Sequence, residues 1–289
     1  MRHLVLDILG KAGWQPAKGR STLYEPESNA LGILSRGRNW TWIPEVQDFR
    51  PLPERCVYLP RMLEPRLARA FKEMREFYSV LVTDIGAFTT DFGYVRFDSS
   101  FRTDDWNAPV ITQQSYQLGV RELDRTVLER LHPSAQEAIR RMRPGEWETL
   151  KNSLYRGEVI ALRNPSGGVL RVGEGNEALK IRNAISAFAD EVWRARRNFL
   201  SAHGCGRVDA ETLTGGGAMI PLVRELLTHR MQAERASCIH DLLDEEEPRR
   251  AIPNRGGRVD EHAVEARARQ NRELVRGGSA IGGCSVFFE

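Results

Sequence analysis

Asp84, Gly86, Thr89 and Asp91 fall within one short stretch, VLVTDIGAFTTDFGYV (Val80 to Val95). An apolar strand there runs into a carboxylate, turns through small residues and leaves through Thr-Thr-Asp into a second strand. Such a turn has what a phosphate and its metal need. Gly86 and its neighbours offer backbone N–H groups, and Thr89 offers a hydroxyl. Asp84 would repel bare phosphate, but it could hold a hydrated Mg²⁺ between them or orient an attacking water. The same residues also suit an ordinary hairpin whose Asp and Thr cap turns.

Two further groupings carry related chemistry. In TLTGGGAMIPLVRELL, Gly215, Gly216 and Gly217 end a strand just before a helix that starts near Pro221. Glycines at that point let a ligand approach the backbone closely, although a packing turn would use them too. The stretch has neither the Gly-x-Gly-x-x-Gly of a dinucleotide fold nor the Gly-Lys-Ser/Thr of a P-loop. Glu148 and Lys151, three residues apart, share one helix face with Asn152 and Tyr155. Taken alone, such a pair is most often a solvated ion pair.

The elements that must position these residues follow from periodicity. A short helical pattern (Leu4, Leu6, Ile8, Leu9) and an extended run to Leu34 open the chain. Five prolines between Gly32 and Pro65, with Trp40, Trp42, Phe49 and Tyr58, predict an irregular packed connection, followed by a helix from Arg66 to Tyr78. Beyond the quoted turn, Gln117–Leu131 has helical spacing. Pro144 opens a helix that gives way to strand near Arg156, and Pro165–Gly168 makes a hairpin. A long amphipathic helix spans roughly Asn176–Ala202. Strands alternating with helices predict an α/β protein.

Bulk properties exclude other classes. The 289 residues, 41% hydrophobic, can bury a full core. No run approaches the ~18 apolar residues of a spanning helix, and Arg2, His3 and Asp7 interrupt the start, so no membrane partner and a cytoplasmic location are expected. Forty-two basic against 39 acidic residues, interspersed to a net charge of +3, give no concentrated field for nucleic acid. Cys56, Cys205, Cys238 and Cys284 are too scattered for a zinc site and read as reduced, mostly buried thiols.

In their order along the chain, these stretches resemble the actin-like ATPase superfamily, and most closely its heat-shock protein 70 (DnaK) branch. Asp84, Gly86, Thr89 and Asp91 match the family's Asp-x-Gly-x-x-Thr-x-Asp phosphate loop, with Ala87 and Phe88 in place of two glycines. Leu118, Gly119, Leu123 and Asp124 echo its Leu-Gly-Gly-x-x-Phe-Asp helix start. Glu148 and Lys151 echo its adenine-facing Glu-x-x-Lys, with Asn152 and Tyr155 in place of Arg and Ser. Thr214 to Gly217 with Ile220 and Pro221 look like its adenosine loop, with Gly217 for Ser and Met219 for an adenine-packing Arg. YEPESNAL, carrying Glu25, resembles the first connecting segment, and the closing RGGSAIGG the second.

The resemblance implies a ribonuclease H-like, actin-like ATPase fold with the second lobe largely complete and the first truncated. Residues 1–34 would be a remnant of the first lobe with its connecting segment, and 35–79 a proline-rich insertion and helix. Residues 80–289 would be the second lobe: 80–117 and 179–276 its core subdomain, 118–178 a smaller subdomain, 277–289 the second connecting segment. It implies ATP/ADP and Mg²⁺ as cofactors, with Asp84, Thr89 and Glu25 as catalytic residues and Asp84 and Glu25 toward the metal. Gly86, Ala87, Phe88, Asp91, Gly119, Glu148, Lys151, Asn152, Tyr155, Gly215, Gly216, Gly217 and Met219 would line the nucleotide.

The family's first phosphate loop, Asp-x-Gly-Thr-Thr, does not occur in the 289 residues, nor does the lysine of its first lobe. Hydrolysis is therefore expected only with a first-lobe chain, and the uncovered apolar groups of Leu23–Leu34 are expected to bind a partner or drive self-association. Two alternatives stand beside this: a non-catalytic nucleotide-binding or structural fragment or split subunit, and an actin-fold small-molecule kinase.

Overall fold

The computed structural model describes residues 40–43, 48–51, 77–98, 110–163 and 167–238. The alternation Trp-Thr-Trp-Ile makes β1 (Trp40–Ile43) a strand, paired antiparallel with β2 (Asp48–Pro51). The proline-rich connection thus contains a regular hairpin where an irregular one was expected, because aromatic and β-branched residues outweigh the prolines flanking them. The helix expected over Arg66–Tyr78 is corrected at its last two residues, and residues 66–76 lie outside the described residues. Phe77 and Tyr78 already belong to β3 (Phe77–Ile85), since they extend its run of strand-favouring residues.

β3 folds back through Gly86–Thr89 onto β4 (Thr90–Asp98), which pairs with β5 (Val110–Tyr116), both antiparallel. From β5 the chain enters α1 (Val120–Arg130), α2 (Pro133–Arg140) and α3 (Pro144–Tyr155). A separate hairpin follows, β6 (Ile160–Arg163) with β7 (Val169–Val172). The long helix α4 (Gly175–Ala202) then returns the chain to the main sheet. There β8 (Ala210–Thr214) lies parallel to β3, and α5 (Pro221–Ala233) carries the chain on to a short parallel strand, β9 (Ser237–Cys238). The sheet order is β5-β4-β3-β8-β9. The expected helix at 176–202 and the strand, glycine turn and helix around 210–221 are present. α2 was not anticipated, although His132-Pro133, a capping residue before a first-turn proline, marks its start.

Alternation gives the sheet two faces. Leu81, Ile85, Phe92, Tyr94 and Leu213 project toward the helices and join one core with Ile185, Phe188, Val192 and Phe199 of α4. Those α4 residues recur at three- and four-residue intervals, so a single stripe of a helix about 42 Å long covers the sheet. Phe92 stacks on Phe199 at 5.5 Å between centroids. α1 and α5 both pack against α4. The opposite face carries Val80, Val82, Val95 and Ala210, all buried, in register with Asp84, Asp91, Thr212 and Thr214. Cys205 and Cys238 are free thiols, the second buried and the first half-buried.

Candidate functional site

Parallel pairing brings two turns together. Asp84 of β3 is in register with Thr214 of β8, so Gly86–Thr89 and Gly215–Met219 leave the same carboxyl edge of the sheet side by side. That edge is where open α/β sheets place ligands. Three glycines make the approach possible. A Cβ on Gly119, just before α1, would lie 2.5 Å from the Ala87 oxygen and from the Phe88 backbone. Gly215 has φ +82°, and its Cβ would strike the Asp84 carboxylate and the Ile85 carbonyl. One on Gly217 would strike the Ile85 side chain and come within 2.9 Å of Val120. Residues chosen separately from sequence therefore converge on one point: the β3 turn, the start of α1 and the glycine turn after β8.

Gly119→Ala is expected to cost about 1–3 kcal/mol, because the atoms in its way are backbone and cannot rotate aside. Thermal unfolding checks this. A midpoint equal to the parent's would mean that the turn is free to slide off α1.

Backbone direction in the β3 turn follows from its hydrogen bonds. Gly86 N–H donates to the Thr89 carbonyl at 2.8 Å, so this amide closes the turn and does not face outward as the sequence suggested. The Gly86 and Ala87 carbonyls accept from Val120 N–H (3.0 Å) and Arg121 N–H (2.9 Å) at the start of α1. In a planar trans peptide the N–H points opposite to the C=O. The Ala87 and Phe88 amides are therefore turned away from α1, and no described carbonyl accepts them. Adjacent amides pointing one way form an anion-binding concavity. The Phe88 side chain at the apex is 63% exposed.

Behind the turn, one cross-strand row carries Ser115, Asp91, Asp84 and Thr214 on β5, β4, β3 and β8. Asp91 is organised locally. It accepts the Thr89 hydroxyl at 2.9 Å and the Ser115 hydroxyl, so the Thr89 proton is committed and its lone pairs are what remain for a ligand. Asp84 and Asp91 face each other across the hairpin, both 6% exposed. The Thr214 hydroxyl, next in the row, is buried and has no hydrogen-bond partner among the described residues. A carboxylate beside an unsatisfied hydroxyl is a hard-oxygen donor set, and it fits a hydrated Mg²⁺. Among the described residues no group of three or more His, Cys, Asp or Glu could hold a metal directly. An ion there would keep most of its water.

Glu148 and Lys151 are not the simple surface pair the spacing allowed. Lys151, 7% exposed, donates to Asp124 of α1 at 2.6 Å and to Glu148 at 2.9 Å. The Tyr155 hydroxyl donates to the other Asp124 oxygen at 2.6 Å. Asp124 stands five residues into α1 from Gly119, about 7.5 Å along the axis, so α1 links this cluster to the β3 turn. Glu148 and Asn152 are exposed, and Met219 is half-buried in the turn after β8.

Burial alone would lower the Lys151 ammonium, but Asp124 and Glu148 outweigh it and hold the lysine above its ordinary value. Burial, then the Asp124 charge, raises the Tyr155 phenol well beyond its ordinary range. Both groups thus keep their protons in the folded state after the unfolded chain has begun to lose them. The stabilisation is complete below their ordinary values of 10.5 and 10.0 and declines as pH rises beyond them. Tyr155→Phe is expected to flatten the loss of stability between pH 9 and pH 11. Urea unfolding at the two values reads it, and an unchanged slope would show that the phenol is not held neutral.

A buried network absent from the sequence reading anchors the scaffold. Arg196 on α4, 1% exposed, forks onto Glu211 of β8 (2.8–3.0 Å) and reaches Glu234 after α5 (2.9 Å). Thr83 Oγ1 donates to Glu211 at 3.1 Å. Its signal was an arginine on the apolar stripe of α4, between Val192 and Phe199, facing a glutamate within a strand.

Glu25, the helical pattern at Leu4–Leu9, residues 66–76 and RGGSAIGG lie outside the described residues. Among the described residues no helix is long and apolar enough to cross a membrane. Compared with known proteins, the chain matches no family model and no curated protein.

Proposed function

We propose that residues 77–238 form the Mg-ATP-binding half of a DnaK-like, actin-like ATPase. The observation that supports this most is the convergence of Gly86–Thr89, Gly119 and Gly215–Gly217 around Asp84 at the carboxyl edge of β3 and β8. In this reading the phosphates meet the outward amides of Ala87 and Phe88. Asp84, with the Thr214 hydroxyl beside it, holds the water shell of Mg²⁺. Adenosine lies on Gly215–Gly217 toward Lys151 and Glu148. The sheet order β5-β4-β3-β8-β9 is compatible with the ribonuclease H-like arrangement that the resemblance implies. Mg²⁺ would supply charge neutralisation at the phosphates. The chain's own part is to hold that ion's water at the Asp84 carboxylate, to orient the phosphates through fixed amides, and to position the ribose and base. Rate acceleration in such sites is positioning and electrostatic stabilisation, so turnover needs the opposing face, a first-lobe chain.

Amide hydrogen exchange with and without Mg-ADP tests the placement. Added protection confined to segments 84–89 and 214–219 is expected. Unchanged exchange at both, in the presence of saturating nucleotide, would refute it.

A further inference from the structure

We infer that Arg121 is an anion-binding side chain of this site, one that takes the terminal phosphate of a polyphosphate at the Ala87–Phe88 turn. The inference rests on the nucleotide reading for the ligand's identity but on its own geometry for the charge. The backbone N–H of Arg121 is spent on the Ala87 carbonyl, which fixes its Cα against the turn. Its guanidinium carbon lies 5.3 Å from the centre of the Phe88 ring, at the turn's exposed apex. Cation–π contact at that distance orients the fork without consuming its hydrogen-bond donors.

The other two arginines of α1 have hydrogen-bond partners, and Arg130 donates to the Lys180 carbonyl at 3.2 Å. Arg125, one turn further on, is held by both Glu122 and Glu129, at 2.8 Å in the second case. Arg121 has no carboxylate within ion-pair distance among the described residues, and both glutamates of the helix are committed to Arg125. Electrostatics give the unpaired charge a purpose. A polyphosphate at this turn would sit in front of two buried carboxylates, Asp84 and Asp91, and the turn's two outward amides carry only partial charges. A guanidinium at the apex adds a full positive charge in the planar geometry that binds phosphate oxygens in pairs.

The test is calorimetric titration of the purified 289-residue chain with inorganic triphosphate and, separately, adenosine, each with Mg²⁺. Parent, Arg121→Gln and Arg121→Lys are compared. Losing one charge-assisted contact should weaken triphosphate about 10- to 100-fold in Arg121→Gln, with Arg121→Lys between it and the parent, and leave adenosine unchanged. The substitutions keep the backbone bond to Ala87, so their thermal midpoints should match the parent's. Equal triphosphate affinity in parent and Arg121→Gln, or no triphosphate binding by the parent, overturns the inference, whatever adenosine does. Arg121-dependent triphosphate binding without adenosine binding would uphold it while refuting the nucleotide reading.

Discussion

Arg196→Ala is expected to destabilise the chain by about 3–5 kcal/mol, enough to leave much of it unfolded at ordinary temperature. The arginine itself does not supply that much net stability. Its removal strands Glu211, fully buried in the central sheet, with only the Thr83 hydroxyl for company. Two comparisons separate this cause from lost packing. Arg196→Met/Glu211→Leu removes both charges and should recover most of the stability, since a buried pair exchanged for apolar groups is often neutral or better. Lowering the pH should also narrow the deficit. Burial pushes the Glu211 carboxyl up, and without Arg196 only the Thr83 hydrogen bond opposes that push. The folded state then binds a proton that the unfolded chain has already released, which favours folding at low pH and costs stability as pH rises through the folded value. Chemical denaturation at pH 5 and pH 8 measures both effects. A double variant no better than Arg196→Ala would show that packing, not the stranded charge, sets the cost.

A larger effect concerns turnover. Residues 1–289 alone are expected to release no phosphate from Mg-ATP above the uncatalysed background, with activity appearing when a chain carrying a first lobe is added. The structure has outward amides and a carboxylate–hydroxyl pair on one side of the proposed phosphates. Charge-assisted contacts from an opposing side are worth roughly 1.5–3 kcal/mol each, so two of them alter affinity by two to four orders of magnitude and act more strongly still on the transition state. Steady phosphate release by the pure chain, abolished by Asp84→Ala, would show that this half catalyses unaided.

What could be read in advance divides along physical lines. α4 was legible because 28 residues keep one period, and the turn after β8 because three glycines and a proline have few other uses. β3 and β4 were legible for the same reason: local residues dictate a local shape. β5 was not, since Val-Ile-Thr-Gln-Gln-Ser-Tyr becomes a strand only by pairing with β4. Site residues followed the same rule. Asp84, Gly119 and Gly215 could be chosen by type and spacing, but their mutual approach depends on the parallel pairing of β3 with β8, more than a hundred residues apart. The Asp124–Lys151–Tyr155 cluster and Arg196–Glu211 were illegible as contacts for that reason. Each joins elements whose packing no short window encodes.

Asp84 and the turns around it are proposed to bind a magnesium nucleotide. The most direct measurement is isothermal titration of residues 1–289 with ATP, in Mg²⁺ and in excess chelator, for the parent and Asp84→Ala. Dissociation constants of about 0.1–10 mM are expected for the parent with Mg²⁺, with weaker binding in chelator and a variant whose affinity is the same in both. A parent that binds no nucleotide in that range, or an Asp84→Ala variant that keeps the full magnesium dependence, would contradict it.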